Sequence, residues 1–127
     1  MNQHAISRTA IYILSIVMIV FGVNHFVHPK DMVIFVPAFV PGGIIWVYLV
    51  GIGFILAAIA FIINWQVKLA AYLLAALLFI FVLTIHLPNF LHAGDQDMKQ
   101  LAFISLLKDA ALAAFALHIA SNARTVA

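Results

Sequence analysis

The chain has 127 residues, of which 67% are hydrophobic and only 8% are charged, whereas about 25% of the residues in an average soluble domain carry a charge. A soluble domain of this size needs charged side chains to cover its surface, so the composition excludes a soluble enzyme, a nucleic-acid-binding module and a disordered tail. The net charge is only +2, with no run of Lys or Arg of the kind that binds nucleic acid, and there is no cysteine, which excludes thiol and iron–sulfur chemistry. The sequence therefore predicts an integral membrane protein.

Four apolar segments are long enough to cross a bilayer, for which a helix needs about 20 residues. They cover residues 6–27, 43–63, 68–87 and 101–120. Because these segments are continuously apolar, with no alternation of polar and apolar residues, they indicate helices and not the strands of a β-barrel. The first is too long for a signal peptide and no small-residue cleavage site follows it, so we expect it to remain as a span. The prediction is an all-α, up-down-up-down four-helix transmembrane bundle that forms a single domain over residues 1–127.

The three connections between these segments differ in character. Residues 28–42 contain Pro29, Pro37 and Pro41 but are otherwise mostly apolar. Proline interrupts a helix, so we expect a Pro-rich loop that lies in the membrane interface between helices 1 and 2. The second connection, residues 64–67, is so short that it predicts a tight antiparallel hairpin. The third, residues 88–100, is polar and is expected to face water.

Four spans place both termini on one side of the membrane. That side carries Arg8, Lys68 and Arg124, and the other carries Lys30 and Lys99. The positive-inside rule therefore favours cytoplasmic termini. We expect a multi-pass protein of the cell membrane, in a bacterium the inner membrane, with the lipid bilayer as its surroundings and no nucleic-acid partner.

Small residues recur at four-residue spacing in the apolar segments, as at Gly53 with Ala57 and Ala71 with Ala75. Such residues let helices approach closely in lipid. Two interpretations follow. The small residues pack the four helices into a compact monomer, or a surface on the second span forms a homodimer.

Polar residues inside the apolar segments are the main functional signal, because a charge in the hydrocarbon region costs about 2.5–3.5 kcal/mol at the helix centre. Asn24 and His25 lie at the end of the first span, His86 at the end of the third, and Lys108 and Asp109 in the first half of the fourth. In an up-down-up-down bundle all five lie toward the side opposite the termini. The sequence therefore predicts a shared buried polar site.

Within that site, the short side chain of Asp109 needs a partner or a proton. Its expected partners are His25 or His86. Lys108 is adjacent on the same helix and points about 100° away, so we do not expect it to pair with Asp109 automatically. The alternative is that the fourth helix begins near Leu106, which would make Lys108 and Asp109 an interfacial helix start.

Several ligands fit the predicted site. A quinone would be held by hydrogen bonds to its carbonyl groups between aromatic side chains, such as Phe21, Phe26, Phe79 and Phe81. A haem would use His25 and His86 as axial ligands. Zinc or copper would need His86, His92 and Asp95 or Asp97. Axial haem ligands usually face each other deep in a bundle, whereas His25 and His86 lie near the span ends, and the metal spacing matches no strong motif. Quinone is therefore favoured. Too few polar residues continue toward the other side of the membrane for a channel.

Three parts of the chain together resemble the DoxX-like family of small membrane proteins. The string FGVNHFVHP (residues 21–29) resembles the end of that family's first helix, and SLLKDAALAAFAL (residues 105–117) resembles its last helix. The Pro-containing loop at residues 36–42 and Gly51 in the second span also fit. The family often has Gly where this chain has Ala113 or Ala114, which is a small-for-small difference. The resemblance covers essentially the whole chain.

The resemblance implies a four-helix membrane protein with functional residues at His25, Pro29, Lys108 and Asp109. The family takes its name from a subunit of an archaeal thiosulfate:quinone oxidoreductase, and distant animal relatives act as assembly chaperones for membrane receptors. One hypothesis is therefore a quinone-linked redox membrane subunit with a redox protein as partner. In it, His25 and Lys108 hydrogen-bond the quinone, and Asp109 with His86 handles its protons. The alternative is a non-catalytic scaffold or assembly chaperone for another membrane protein.

Overall fold

A computed structural model describes residues 2–33 and 41–123, apart from the side chain of Met32. Its helices are α1 (Gln3–Val27), α2 (Pro29–Val33), α3 (Ile44–Ile63), α4 (Val67–Phe81), a π-helical segment (Val82–His86), α5 (Leu87–His92) and α6 (Gln96–Asn122). No β-strand is present in these described ranges. The predicted all-α four-helix bundle is confirmed.

In the described part of the chain, four helices are long and apolar enough to cross a membrane. They are Gln3–Val27, Ile44–Ile63, Val67–His92 and Gln96–Asn122. The third and fourth are longer than the sequence predicts, because α4, the π-helical segment and α5 run on without a break and α6 begins at Gln96. The polar connection predicted over residues 88–100 is thereby reduced to residues 93–95.

The bundle is built from two closely packed helix pairs. α1 packs along α3, α4 packs along α6, and α3 and α4 join the pairs through the hairpin. Alanines of α3, α4 and α6 are fully buried in the core beside Met18 and Phe61. Small side chains let the helix backbones approach closely. The predicted contact at Gly53 is not part of this packing, because a Cβ atom added there would have no heavy atom within 4 Å.

The outer surface of the bundle is apolar. Large aliphatic side chains are exposed along one side of each pair, such as Ile13, Ile16 and Val20 on α1 and Ile52 and Leu56 on α3. Soluble monomers rarely expose contiguous apolar areas larger than a few hundred Å². The surface is therefore of the kind that contacts lipid, as the composition predicts for a membrane protein.

The hairpin prediction at residues 64–67 is confirmed, since Asn64 and Gln66 adopt left-handed backbone conformations with φ of 58° and 51° and reverse the chain. The predicted interfacial loop is described only at its ends. Pro29 begins α2, and the Pro41 carbonyl accepts a hydrogen bond of 2.6 Å from the Trp46 indole N–H. Pro37 and Arg124 lie outside the described residues.

Candidate functional site

A buried histidine–aspartate pair joins the third and fourth membrane-length helices. His86 Nε2 lies 2.7 Å from Asp109 Oδ2, and the two side chains are only 13% and 7% exposed. The carboxylate accepts, so Nε2 carries the hydrogen of this bond. Of the two partners that the sequence predicts for Asp109, the structure selects His86.

The π-helical segment sets the position of His86. The Leu87 N–H bonds to the Val82 carbonyl, five residues earlier, where an α-helix would use the carbonyl four residues earlier. Pro88 follows at once, and its ring would clash with the Thr84 carbonyl in a regular α-helix. The wider turn accommodates that proline without ending the helix. π-helical turns are frequent at functional sites, and this one directs His86 toward α6.

Lys108 completes the cluster from the other side of Asp109. Its Nζ atom lies 3.5 Å from Asp109 Oδ1 and 4.8 Å from the centre of the Phe21 ring on α1. Adjacent positions on a helix do not make this contact automatic, and it forms because the Lys108 side chain is long enough to reach the neighbouring carboxylate. The side chain is still 47% exposed. The cluster therefore links α6 both to the π-helical segment and to α1.

The fourth helix begins well before Leu106, so Lys108 and Asp109 do not stand at a helix start. α6 begins at Gln96, and the Asp95 side chain caps it by accepting a 2.7 Å bond from the Met98 N–H. Asp109 therefore lies 13 residues inside α6, or about 20 Å along the helix at 1.5 Å per residue.

Two of the five predicted site residues are not hydrogen-bonded into this cluster. His25 donates from Nδ1 to the Phe21 carbonyl on its own helix, at 2.6 Å. Its ring stands edge-on to Phe54, with the ring centres 5.3 Å apart. Asn24 is exposed, and its backbone carbonyl accepts from the His28 N–H. The structure therefore brings three of the five residues into direct contact, whereas His25 is bonded within α1 and packs against Phe54.

Aromatic side chains line the His25 side of the site. Phe54 of α3 packs against Phe21 and Phe81, with 6.4 Å between ring centres in each case. Sequence reasoning named Phe21 and Phe81 as walls and missed Phe54. Phe26, which it also named, stacks on Tyr48 at the exposed surface.

A cavity of about 280 Å³ opens beside His86 on the side of the short α5–α6 connection. Its polar lining comes from His86, Asn89, His92 and Ser105. His86 thus faces both this cavity and the buried carboxylate. The sequence places Ser105 on the helix face of Lys108 and Asp109, and Asn89 in the connection on the same side, but neither was included among the predicted site residues. Asn89 lies three residues after His86 and Ser105 four before Asp109, so each pair shares a helix face.

The side chains proposed for zinc or copper ligation are not brought together. Within residues 2–33 and 41–123, no three His, Cys, Asp or Glu side chains are grouped as a metal ion would require. The Asp95 carboxylate is used as the α6 cap. An axial haem role for His86 through Nε2 would break its bond to Asp109.

Comparison with protein families gives one match. A family described as "Domain of unknown function (DUF8561)" matches residues 14–120, and the chain belongs to this family. No curated protein and no solved structure is significantly similar to the chain. The resemblance to the DoxX-like family stays a prediction, and the matched region contains the whole His86–Asp109–Lys108 cluster.

Proposed function

We propose that this DUF8561 protein is a four-span membrane protein that binds the head group of a quinone in the cavity beside His86 and exchanges protons with it. It would serve as the membrane subunit of a quinone-linked redox system, as the resemblance to DoxX-like proteins implies. The observation that carries the proposal is the His86–Asp109 pair, 2.7 Å apart and buried at the edge of that cavity. Ionisable side chains within membrane spans are costly and mark functional sites.

The dimensions of the cavity favour a single substituted ring. Ligand pockets usually measure about 300–1,000 Å³, and this one, at about 280 Å³, lies just below that range. The carbonyl or hydroxyl oxygens of the ring can form hydrogen bonds with the Ser105 hydroxyl and the Asn89 amide. Met98 and Leu101 supply apolar contact. The isoprenoid tail of a quinone would extend from the opening along the apolar outer surface.

The pair also supports proton exchange. Because Asp109 holds the Nε2–H of His86, the other ring nitrogen, Nδ1, is left as the proton acceptor of a neutral imidazole. A quinol hydroxyl in the cavity could pass its proton to Nδ1, and the Asp109 carboxylate would stabilise the imidazolium that forms. Lys108 balances the carboxylate charge when His86 is neutral. The second proton of the quinol would follow by the same route, once the imidazolium has released the first proton to water at the cavity opening. The two electrons would go to a redox centre on a partner protein.

The proposed position of the head group differs from the one that the sequence predicts. The sequence predicts that His25 and Lys108 hydrogen-bond the quinone. His25 instead bonds its own helix, and Lys108 lies against Phe21 and Asp109. The open space adjoins His86 and Ser105.

One observation favours the alternative, a non-catalytic scaffold or assembly chaperone for another membrane protein. Among the described residues, no buried side-chain nitrogen or oxygen lacks a hydrogen-bond partner. A cluster that is already satisfied can act as a purely structural link between α1, the π-helical segment and α6.

Binding of decylubiquinone to the purified protein in a mild detergent separates the two functions. We expect saturable binding that weakens about tenfold in His86→Ala, which corresponds to the loss of one hydrogen bond of about 1.4 kcal/mol. Ser105→Leu, which fills the cavity, should weaken it as well. Asn24→Ala is the matched control, because Asn24 is a polar residue at the same end of the bundle that does not line the cavity.

Equal binding by the wild type and His86→Ala would contradict the quinone proposal. If Lys108→Met and Asp109→Asn lower the unfolding temperature and decylubiquinone binds none of the proteins, the scaffold function is supported. Native mass spectrometry of the protein extracted from its own membrane adds a direct check, because it reports any bound quinone mass and the number of subunits.

We further propose that the protein lies in the cell membrane, the inner membrane in a bacterium, with both termini in the cytoplasm. The sequence supports this through the positive-inside rule, since it assigns Arg8, Lys68 and Arg124 to the terminal side and only Lys30 and Lys99 to the other. The chain has no native cysteine, so single cysteines at Asn2 and Gly94 can be labelled in cells. A membrane-impermeant maleimide should reach only Gly94→Cys.

A further inference from the structure

A second and larger cavity lies at the opposite end of the bundle from the His86 site. It measures about 1250 Å³ and is bounded by α1, α4, α6 and the Asn64–Gln66 turn. We refer to it as the terminal vestibule. Ser15, Met18 and Ala116 are fully buried in the bundle core. At the end of the bundle with the His86 site, Phe21 of α1 lies against Lys108 of α6.

The polar lining of the terminal vestibule is positively charged. Arg8 and Lys68 both line it, together with His4 and His118. The four acidic residues of the chain are Asp31, Asp95, Asp97 and Asp109, and none of them is among its lining residues. Within residues 2–33 and 41–123, the vestibule therefore has two half-buried cations with no carboxylate side chain in its lining to neutralise their charge.

The Arg8 guanidinium group is positioned by the Phe61 carbonyl and the Tyr12 ring. Among the described residues, these contacts use one of its N–H groups. One guanidinium nitrogen donates to the Phe61 carbonyl in the last turn of α3, at 3.2 Å. The guanidinium also lies over the Tyr12 ring, 4.7 Å from its centre. A guanidinium carries five N–H donors in a planar fork that suits phosphate oxygens. An arginine ordered in this way is suited to hold an anion at low entropic cost.

The deeper lining is apolar and matches a hydrocarbon chain. Ile11, Phe115 and Ile119 form the inner part, and Leu69 and Tyr72 form one side. A free inorganic anion needs neither this apolar lining nor so large a volume. The volume also exceeds the usual range for small-molecule pockets, about 300–1,000 Å³.

We infer that the terminal vestibule binds an anionic phospholipid, with the phosphate of the head group on Arg8 and Lys68 and part of an acyl chain against Ile11 and Phe115. The inference rests on the proposed membrane position of the chain and is independent of the ligand at His86. The bound lipid fills the gap between α1 and α6 at this end of the bundle and so acts as a structural ligand.

The test is native mass spectrometry of the full chain in nanodiscs or mild detergent, with phosphatidylglycerol, phosphatidylethanolamine or inorganic phosphate as probe. We expect one phosphatidylglycerol molecule to be retained at least about tenfold more strongly than phosphatidylethanolamine. Arg8→Gln combined with Lys68→Gln should remove that preference. Lys99→Gln, which removes one cation at the other end of the bundle, should leave the preference unchanged.

A second pair of variants tests the cavity without changing charge. Ala10→Phe places a ring in the terminal vestibule and should lower phosphatidylglycerol retention, whereas Ala111→Phe adds the same ring at an exposed position on α6 and should not. This pair keeps the test informative if loss of the Arg8–Phe61 bond unfolds the chain.

Equal retention of the two lipids would overturn the inference, and so would equal losses in Ala10→Phe and Ala111→Phe. Retention of inorganic phosphate without phosphatidylglycerol would also overturn it, because the site would then hold a free anion. Decylubiquinone binding should be unchanged in Ala10→Phe, so failure here and failure of the His86 proposal give different results.

Discussion

His86 Nε2 and Asp109 Oδ2 lie 2.7 Å apart, in a bond between two helices that are each long and apolar enough to cross a membrane. The bond connects a π-helical segment to the interior of α6, and both side chains are nearly excluded from the surface. An isolated carboxylate at this position would carry a large desolvation cost. The hydrogen bond to His86 and the nearby Lys108 ammonium group therefore offset part of that cost.

The first prediction concerns the strength of that pair. In a double-mutant cycle with His86→Ala and Asp109→Ala, we expect a coupling free energy of about 1–2 kcal/mol, near the upper limit for hydrogen bonds between membrane helices. Asp109→Asn should cost less than Asp109→Ala, because an amide oxygen can still accept the His86 N–H. Reversible unfolding in mixed micelles measures each value.

Asp97→Ala is the control for that cycle, since Asp97 is an exposed aspartate on the same helix. Its effect should be additive with His86→Ala. A coupling energy between His86 and Asp109 no larger than that between His86 and Asp97 would show that the bond contributes nothing to stability.

The fold could be predicted from the sequence because it depends on quantities that a sequence states directly. The length and hydropathy of each apolar segment predict a span, and the short run at Asn64–Gln66 permits only a hairpin. The end of the third helix was not predictable in the same way. Pro88 normally indicates a helix end, and only a π-helical turn before it allows the helix to continue to His92.

The sequence predicts which residues belong to the candidate site, but it predicts only in part which of them form hydrogen bonds with each other. The positions of His86 and Asp109 along their helices bring the two residues to the same height in the bundle. Side-chain rotamers then determine which residues form hydrogen bonds. Lys108 reaches Asp109 because its side chain is long and flexible. His25 does not, because a carbonyl on its own helix takes its Nδ1–H first. The cavity beside His86 depends on how α5 returns to α6, which no local pattern encodes.

The second prediction tests the role of Pro88 in the π-helical segment. Pro88→Ala restores an N–H that can bond to the Thr84 carbonyl and removes the ring clash, so it favours a regular α-helix. A change from π to α would rotate His86 relative to α6. We expect the His86–Asp109 coupling energy, measured by the same cycle in the Pro88→Ala background, to fall to less than half.

Overall stability should change little in Pro88→Ala, because the gain of a backbone hydrogen bond offsets the loss of the side-chain pair. If the coupling energy is the same with and without the proline, the π-helical segment does not depend on Pro88, and its cause must lie in the packing against α6.

The third prediction concerns the start of α6. Asp95 caps this helix through the Met98 N–H at 2.7 Å, so Asp95→Ala should lower stability by about 1 kcal/mol. Asp95→Asn should be nearly neutral, because asparagine caps as well as aspartate. Unfolding measurements on the two variants check this. If Asp95 were instead a zinc or copper ligand with His92, both substitutions would reduce metal binding. Asp95→Asn would then not be more stable than Asp95→Ala, contrary to what capping predicts.

The fourth prediction uses the close approach of α1 and α3. A Cβ atom at Gly22 would lie 2.8 Å from the Gly51 carbonyl oxygen and 2.6 Å from Ile55 Cγ1. Gly22→Ala therefore forces the two helices apart and should cost about 1–3 kcal/mol. Gly53→Ala is the matched control on α3, because the added methyl group meets nothing within 4 Å, and it should be neutral or slightly stabilising.

The displacement of α1 also has a consequence for the site. Phe21, which adjoins Gly22, lies under the Lys108 ammonium group at 4.8 Å, so a shift of α1 withdraws the aromatic face that holds Lys108 near Asp109. Gly22→Ala should therefore make Lys108 more reactive toward a water-soluble amine reagent, and Gly53→Ala should not. Equal stability and equal Lys108 reactivity in the two variants would mean that the close approach of α1 and α3 neither stabilises the bundle nor supports the cluster. Native mass spectrometry of Gly53→Ala then also reports whether this outward-facing glycine supports a homodimer.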